Sequence, residues 1–267
     1  MVKYEIISGF LTNFSLYLPE VKKKHLFFMH FDHTFHLTKN FRNTIINYTV
    51  LKGLINIKGY RISVIRHGMT VANEKGIYIG KTDIPLSDKG GAELASKMDE
   101  FDYPIVHRVY SSPLKRCTET ADILFPETQL VTVDDLRETD FGDFENKSVD
   151  ELIKNPDYLK WLKGGTDSHA PNGESLQQMT ARTYKAIHNI IIDMMNDGIT
   201  NSAIITHGGI ISNMLLCFGL PKYNPDVLTA PFGEGFDILV TAQMWLNSQA
   251  FEILGYCPYN KVPEEFL

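Results

Sequence analysis

The chain has 267 residues, 43% of them hydrophobic, and a net charge of −6. This length can bury one sizeable core, or one core with an appendage, and the negative charge argues against general binding to nucleic acids or acidic membranes. The charge is uneven, because residues 1–58 carry a net charge of +5 and the remainder carries −11. An anion-binding site in the larger part must therefore be a local basic pocket in an acidic body.

Cysteine usage and hydropathy suggest where the protein works. Cys117, Cys217 and Cys257 are odd in number and lack the spacing of metal ligands, so we expect reduced thiols, as in cytoplasmic proteins. No stretch reaches the ~18 apolar residues of a spanning helix. We predict a cytoplasmic location and no membrane or nucleic-acid partner.

Residues 1–58 differ in composition from the rest of the chain. They are rich in Phe, Asn, Lys and His and show no sustained period of either 2 or 3.6 residues. We expect an irregular N-terminal extension that is poorly ordered or non-essential, followed by one domain over residues 59–267.

The first motif of the predicted domain follows a strand. Residues 61–65 are rich in Ile and Val, as buried parallel strands are, and they lead into Arg66, His67 and Gly68. Open α/β sheets bind ligands at the C-terminal ends of their strands, and glycine lets the backbone come close to a ligand. By itself the tripeptide is a weak signal.

Two helices and a second strand are predicted next. Ser87 is a plausible N-cap, and the core stripe of its helix is expected at Leu94, Ala95, Met98 and Phe101. A strand over residues 106–111 then leads to a helix with Ser112 as N-cap and Pro113 at its first position. Arg116 would lie near that N-terminus, where a guanidinium favours phosphate binding. The alternative is a surface arginine paired with an acidic neighbour on the helix.

The middle of the domain is acidic. A short strand is predicted over residues 129–133, and six acidic residues lie between positions 134 and 145. Most are expected to be solvated or to cap helices, but one could donate a proton. Residue type alone does not choose among them.

The second half of the domain repeats the strand-end pattern. A helical segment is predicted over residues 149–162, with Leu152, Leu159 and Leu162 as core candidates, and a long helix over residues 175–196 that Gly198 ends. A hydrophobic strand over residues 202–206 then leads into His207 and two glycines. Two β-rich runs within residues 236–256 suggest an edge hairpin. The expected fold is a three-layer α/β/α sandwich with a mostly parallel sheet and the site at the C-terminal ends of its strands.

Taken together, these motifs resemble the histidine phosphatase superfamily, the phosphoglycerate-mutase-like proteins. The similarity covers about residues 60–257. It rests on Arg-His-Gly at residues 66–68, Ser-Pro-Leu-x-Arg at 112–116, Leu-Arg-Glu at 136–138 before an aromatic-Gly turn, and His-Gly-Gly at 207–209, all in the family's order.

The resemblance implies a role for each motif residue. His67 would be the phosphorylated nucleophile, and Arg66, Arg116 and His207 would hold the phosphoryl oxygens. Glu138 matches the family's proton donor. The resemblance also places Asn73 and Gly80 among the substrate-binding residues.

This chemistry needs no cofactor. A neutral imidazole is a competent nucleophile, and phosphoryl transfer depends mainly on positioning and on stabilisation of negative charge. Arginines and a second histidine provide a positive field. We predict a metal-independent reaction on a small phosphate ester; the oligomeric state stays open, with a dimer as one option.

The family contains both phosphatases and mutases, and several positions favour a phosphatase. Thr139 and Phe141 stand where a mutase is expected to have an arginine and a tyrosine. Val149 stands where a lysine is expected, and Ile79 replaces a threonine. We therefore expect a phosphomonoesterase of the α-ribazole-phosphatase-like or broad-specificity branch. A cofactor-dependent phosphoglycerate mutase is the alternative, and a non-catalytic phosphate-binding module is an alternative of another class.

Overall fold

The computed structural model describes residues 58–260. Within this range the strands are β1 (Gly59–Arg66), β2 (Phe101–Asp102), β3 (Arg108–Ser111), β4 (Leu130–Thr132), β5 (Asn201–Thr206), β6 (Gly219–Leu220), β7 (Gly235–Thr241), β8 (Phe251–Cys257) and β9 (Tyr259–Asn260). The helices are α1 (Val71–Glu74), α2 (Asp88–Glu100), α3 (Lys115–Leu124), α4 (Val149–Leu152), α5 (Pro156–Leu162), α6 (Leu176–Asp197), α7 (Gly208–Phe218) and α8 (Ala242–Ser248).

Seven of the strands form one sheet in the order β4-β3-β5-β1-β7-β8-β6. All neighbours pair in parallel except at β7, which runs against β1 and β8. In the β1–β5 pair, Arg66 is opposite Thr206. Because these two central strands end at the same level, the residues that follow them are neighbours at one edge of the sheet.

Alternating side chains of the central strands face two separate cores. Ile204 lies in a large cluster with apolar residues of α6 and α7, such as Ile187 and Ile211. Its neighbour Ile205 lies in a second cluster with Leu94 of α2 and Leu124 of α3. The sheet therefore carries helices on both faces, which confirms the predicted three-layer α/β/α architecture.

The long helix α6 has the predicted ends. The Ser175 side chain accepts a hydrogen bond from the backbone of Gln178 in a capping box, and Gly198 ends the helix with a left-handed φ of 72°. Its apolar residues at helical spacing are buried: Leu176, Met179, Ile187, Ile190, Ile191 and Met194. Ser87 likewise caps α2.

Two predictions about the first helices were wrong. Ala95 and Met98 of α2 are exposed, because α2 contacts the sheet mainly through Leu94. Helix α3 begins at Lys115, so its N-cap residue is Leu114 and not Ser112, two residues later than expected.

Two further predictions need correction. Residues 149–162 form two short helices rather than one, and Leu159 is exposed while Tyr158 and Trp161 are buried. These aromatic residues pack edge to face with Phe144. Leu152 is buried in the same cluster, as predicted, and Leu162 packs against it. At the C-terminus, β7 and β8 do pair in antiparallel fashion, but helix α8 connects them and β7 lies inside the sheet, not at an edge.

The predictions for residues 1–57 lie outside the described residues. No helix over residues 58–260 is both long and apolar enough to cross a membrane. Cys117, Cys217 and Cys257 are all free thiols.

Candidate active site

Two histidines meet at the C-terminal ends of the central strands. His67 follows β1 and His207 follows β5, and the backbone N–H of His67 donates to the Thr206 carbonyl over 2.9 Å. The two ring centroids are 5.1 Å apart in an edge-to-face arrangement. Both side chains are buried, with 4% and 0% exposure. The parallel register of β1 and β5 is thus the physical cause of their proximity.

His67 is held in one orientation and kept neutral. Its Nδ1 lies 2.6 Å from the carbonyl oxygen of Gly68, and because a carbonyl only accepts, Nδ1 carries the proton. Burial lowers the pKa of His67 well below its usual value, and the charges of Arg66 and Arg116 lower it further. The remaining nitrogen, Nε2, therefore has an unprotonated lone pair.

Burial also lowers the pKa of His207, with help from the neighbouring His67 and arginines, so acid should destabilise the fold. Above about pH 6.5 both the folded and the unfolded chain hold these histidines neutral. Below that pH only the unfolded chain takes up the protons, so stability is lost as the pH falls, by about 1.4 kcal/mol per pH unit for each such histidine.

We expect the His67→Gln variant to lose one histidine's share of this pH dependence. Urea unfolding of the wild type and the variant between pH 7 and pH 5 measures the slope of unfolding free energy against pH. The slope is the readout, because altered packing in the variant changes the free energy of unfolding by the same amount at pH 7 and at pH 5. Equal slopes would contradict the buried, neutral state of His67.

Arg66 lies beside His67 at the end of β1. One of its terminal nitrogens donates to the Ala230 carbonyl over 3.0 Å, and its guanidinium stacks 3.9 Å from the centre of the Phe232 ring. The same ring lies 5.8 Å from that of His67. Phe232 therefore contacts the site, whereas Phe236 is buried and packs against Tyr256.

Arg116 is a buried cation, not a surface residue. Its side chain is 1% exposed and donates to the carbonyls of Gly80 and Thr82 over 2.8 and 2.9 Å. Among residues 58–260, no carboxylate lies within the 4.0 Å of an ion pair with it. Burial lowers the pKa of Arg116. The charges of Glu138, Asp83 and Glu145 oppose this shift only in part and from beyond ion-pair distance. Burying a charge is costly, and an anionic ligand in direct contact would offset that cost.

His207 connects Arg116 to Ser112. The Nε atom of Arg116 lies 3.4 Å from His207 Nδ1 and can only donate, so Nδ1 accepts and the proton is on Nε2. That nitrogen lies 2.9 Å from the Ser112 hydroxyl. Ser112, expected to cap helix α3, instead orients this histidine.

The two glycines after His207 leave room for two charged side chains at the start of α7. A Cβ atom at Gly208 would lie 3.2 Å from the Arg66 guanidinium carbon, and one at Gly209 would lie 2.7 Å from a carboxylate oxygen of Glu138. The Glu138 carboxylate accepts hydrogen bonds from the backbone N–H groups of Thr139 and Gly209, over 2.9 and 3.3 Å. The Glu138 carboxylate thus lies at the start of α7, two residues after His207.

Sequence reasoning missed the residue that fixes the Glu138 segment. Arg182 on helix α6 makes a two-pronged ion pair with Glu174, over 2.6 and 2.8 Å. It also donates to the backbone carbonyls of Asp135, Arg137 and Glu138. An arginine on a polar helix face is common, and nothing in its sequence position indicates these contacts.

Asn73 and Gly80 are placed differently from the other predicted residues. The Asn73 side-chain oxygen accepts from the backbone and hydroxyl of Thr70 in a capping box at α1. None of its hydrogen bonds within the described chain reaches Arg66, His67, Arg116 or His207. Gly80 offers its carbonyl to Arg116, while its N–H donates to the carboxylate of Glu145. The Gly80 backbone therefore supports Arg116 through its carbonyl and is itself held by Glu145 through its N–H.

This constellation is matched by a known family. The model of the histidine phosphatase superfamily (branch 1) matches residues 62–227. The chain belongs to this superfamily. The residues matched include both strand-end histidines, Arg66, Arg116 and Glu138.

Curated relatives and solved structures agree with this assignment. A broad-specificity phosphatase of Saccharomyces cerevisiae is 30% identical, covering 58% of this chain and 68% of the relative. The adenosylcobalamin/alpha-ribazole phosphatase of Salmonella typhimurium is 28% identical, covering 58% and 77%. The alpha-ribazole phosphatase structure from Shigella flexneri has the same fold, with a TM-score of 0.62 at 21% identity, over 76% of this chain and all 100% of that one. Family membership and the names of these relatives support phosphatase activity.

Proposed function

We propose that the protein hydrolyses a small phosphorylated metabolite through a phosphohistidine intermediate on His67, with Glu138 as the proton donor. Arg66, Arg116 and His207 would surround the phosphoryl group. Asn73 and Gly80 are kept as substrate-binding candidates, through the Asn73 amide nitrogen and the loop of Gly80. The activity would reside in residues 59–267, in line with a family match that begins at residue 62.

The observation that carries this proposal is the state of His67. Its Nδ1 proton is committed to the Gly68 carbonyl, and its Nε2 lone pair is kept unprotonated by burial and two arginines. A nucleophilic imidazole requires this state. The lowered pKa would keep His67 reactive below pH 6.5, which is the basis for proposing an acid-type phosphatase.

The reaction would proceed in two steps. First, Nε2 of His67 attacks phosphorus, a P–N bond forms, and the P–O bond to the leaving group breaks as Glu138 gives that oxygen a proton. Second, water attacks phosphorus and gives its proton to the Glu138 carboxylate, the P–N bond breaks, and inorganic phosphate leaves. The arginines stabilise negative charge on the phosphoryl oxygens in both steps.

The test is phosphate release from a panel of phosphomonoesters in excess EDTA, together with detection of phosphohistidine on peptides that contain His67. We expect release that survives EDTA and a phosphoryl group on His67. The panel includes 3-phosphoglycerate, with and without a bisphosphoglycerate cofactor and with product isomers resolved. Isomer exchange without release would identify a mutase, and phosphate binding without turnover would identify a binding module; either result would overturn the proposal.

A further inference from the structure

One carboxylate next to the site accepts hydrogen bonds from four donors. Glu145 lies just after the turn that follows Glu138, and its side chain accepts from the backbone N–H groups of Gly80, Lys81 and Phe141 over 2.9, 3.0 and 3.2 Å. The Thr82 hydroxyl also donates to it, over 2.6 Å. Hydrogen bonds to a charged acceptor are stronger than neutral ones, so this carboxylate fixes the loop at residues 80–82.

The same loop holds Arg116. The N–H of Gly80 and the hydroxyl of Thr82 point to Glu145, while the carbonyls of these two residues receive the terminal nitrogens of Arg116. Glu145 and Arg116 therefore bind opposite sides of one short segment. Within the described chain no carboxylate lies within 4.0 Å of Arg116, so these carbonyls and His207 orient its guanidinium. The charge of Glu145 also acts on Arg116, but from beyond ion-pair distance.

Glu145 also connects the loop to the segment that carries Glu138. Its bond from the Phe141 N–H anchors the turn three residues after Glu138. Gly80 allows the close approach, since a Cβ there would lie 1.8 Å from the Thr139 carbonyl oxygen. A single side chain thus spans the two stretches that present the cation and the acid.

We propose that Glu145 is a positioning residue that acts through the loop at residues 80–82 to aim Arg116 at the phosphoryl group. This rests on the proposed function, in which Arg116 binds phosphate. Oε1 of Glu145 accepts from the three backbone N–H groups, and Oε2 accepts from the Thr82 hydroxyl. A glutamine keeps one acceptor oxygen but loses the negative charge that strengthens all of these bonds. Glu145→Gln should therefore restore part of what Glu145→Ala loses.

The experiment is a double-mutant cycle on the full-length protein, with inorganic phosphate as the probe and calorimetric titration as the readout. In the wild-type background we expect Glu145→Ala to weaken phosphate binding about tenfold, and Glu145→Gln to have a smaller effect. In an Arg116→Lys background, where a single ammonium cannot reproduce the two-pronged contact of the guanidinium with both carbonyls, we expect Glu145→Ala to add less than about threefold.

The matched control is Glu151→Ala, which removes a carboxylate from the same part of the chain. Glu151 accepts from the backbone and hydroxyl of Ser148 in an exposed capping box, so its loss should leave phosphate affinity unchanged. An unchanged affinity in Glu145→Ala, or the same loss in both backgrounds, would overturn the inference. Absence of phosphohistidine in the wild type would instead overturn the proposed function, so the two failures are distinguishable.

Discussion

The His67→Ala variant is expected to lower kcat/KM for every phosphomonoester by about 10⁴-fold or more, because it removes the nucleophile. The arginines and Glu138 remain, so phosphate should still bind. Loss of turnover with retained binding is the signature of a missing nucleophile, as opposed to a collapsed site. Steady-state kinetics and calorimetric titration with inorganic phosphate measure the two properties separately.

His169→Ala is the matched control for this variant. The Nδ1 atom of His169 also lies near the carbonyl of the next residue, 2.9 Å from Ala170, but the side chain is exposed and lies in the loop before α6. The local hydrogen bond is thus similar to that of His67. His169 is exposed, however, and has no part in the proposed reaction. We expect wild-type turnover from His169→Ala. Measurable phosphohistidine in His67→Ala would show that another residue is the nucleophile.

The strand ends were the most predictable part of the site. Hydrophobic runs before Arg66 and before His207 predicted two buried parallel strands, and parallel strands bring their C-terminal ends to one edge. The structure confirms this through the register of β1 and β5. Helix α6 was predicted equally well, because a helix of 22 residues has clear caps at both ends and many apolar positions at helical spacing.

Short elements and side-chain networks were not predictable in the same way. Helix α3 begins later than expected because the Ser112 hydroxyl has a partner distant in sequence, His207, and tertiary contact outweighs the local capping preference. Glu145 and Arg182 belong to a polar background in which most charged residues are solvated. Their importance depends on backbone groups that only the fold brings within reach.

We expect Glu138→Gln to lower kcat/KM by about 10² to 10⁴-fold for alkyl phosphates, whose leaving alkoxide needs a proton. For aryl phosphates with acidic phenols the loss should be much smaller, since the phenolate leaves without one. The ratio kcat/KM is the appropriate measure, because it reports the transfer to His67 and excludes the later hydrolysis of the intermediate. Hydrolysis should also slow, as Glu138 accepts the proton of water, so an aryl ester should give a burst of phenol release.

Asp134→Asn is the control, since it changes another carboxylate of the acidic cluster. Asp134 is exposed and pairs with Arg137, so its replacement should leave both ester classes at wild-type rates. An equal loss for alkyl and aryl esters in Glu138→Gln would mean that this side chain does not protonate the leaving group. In that case the carboxylate would act by orienting residues at the start of α7, where it accepts from the Gly209 N–H, and the proton would have to come from another group.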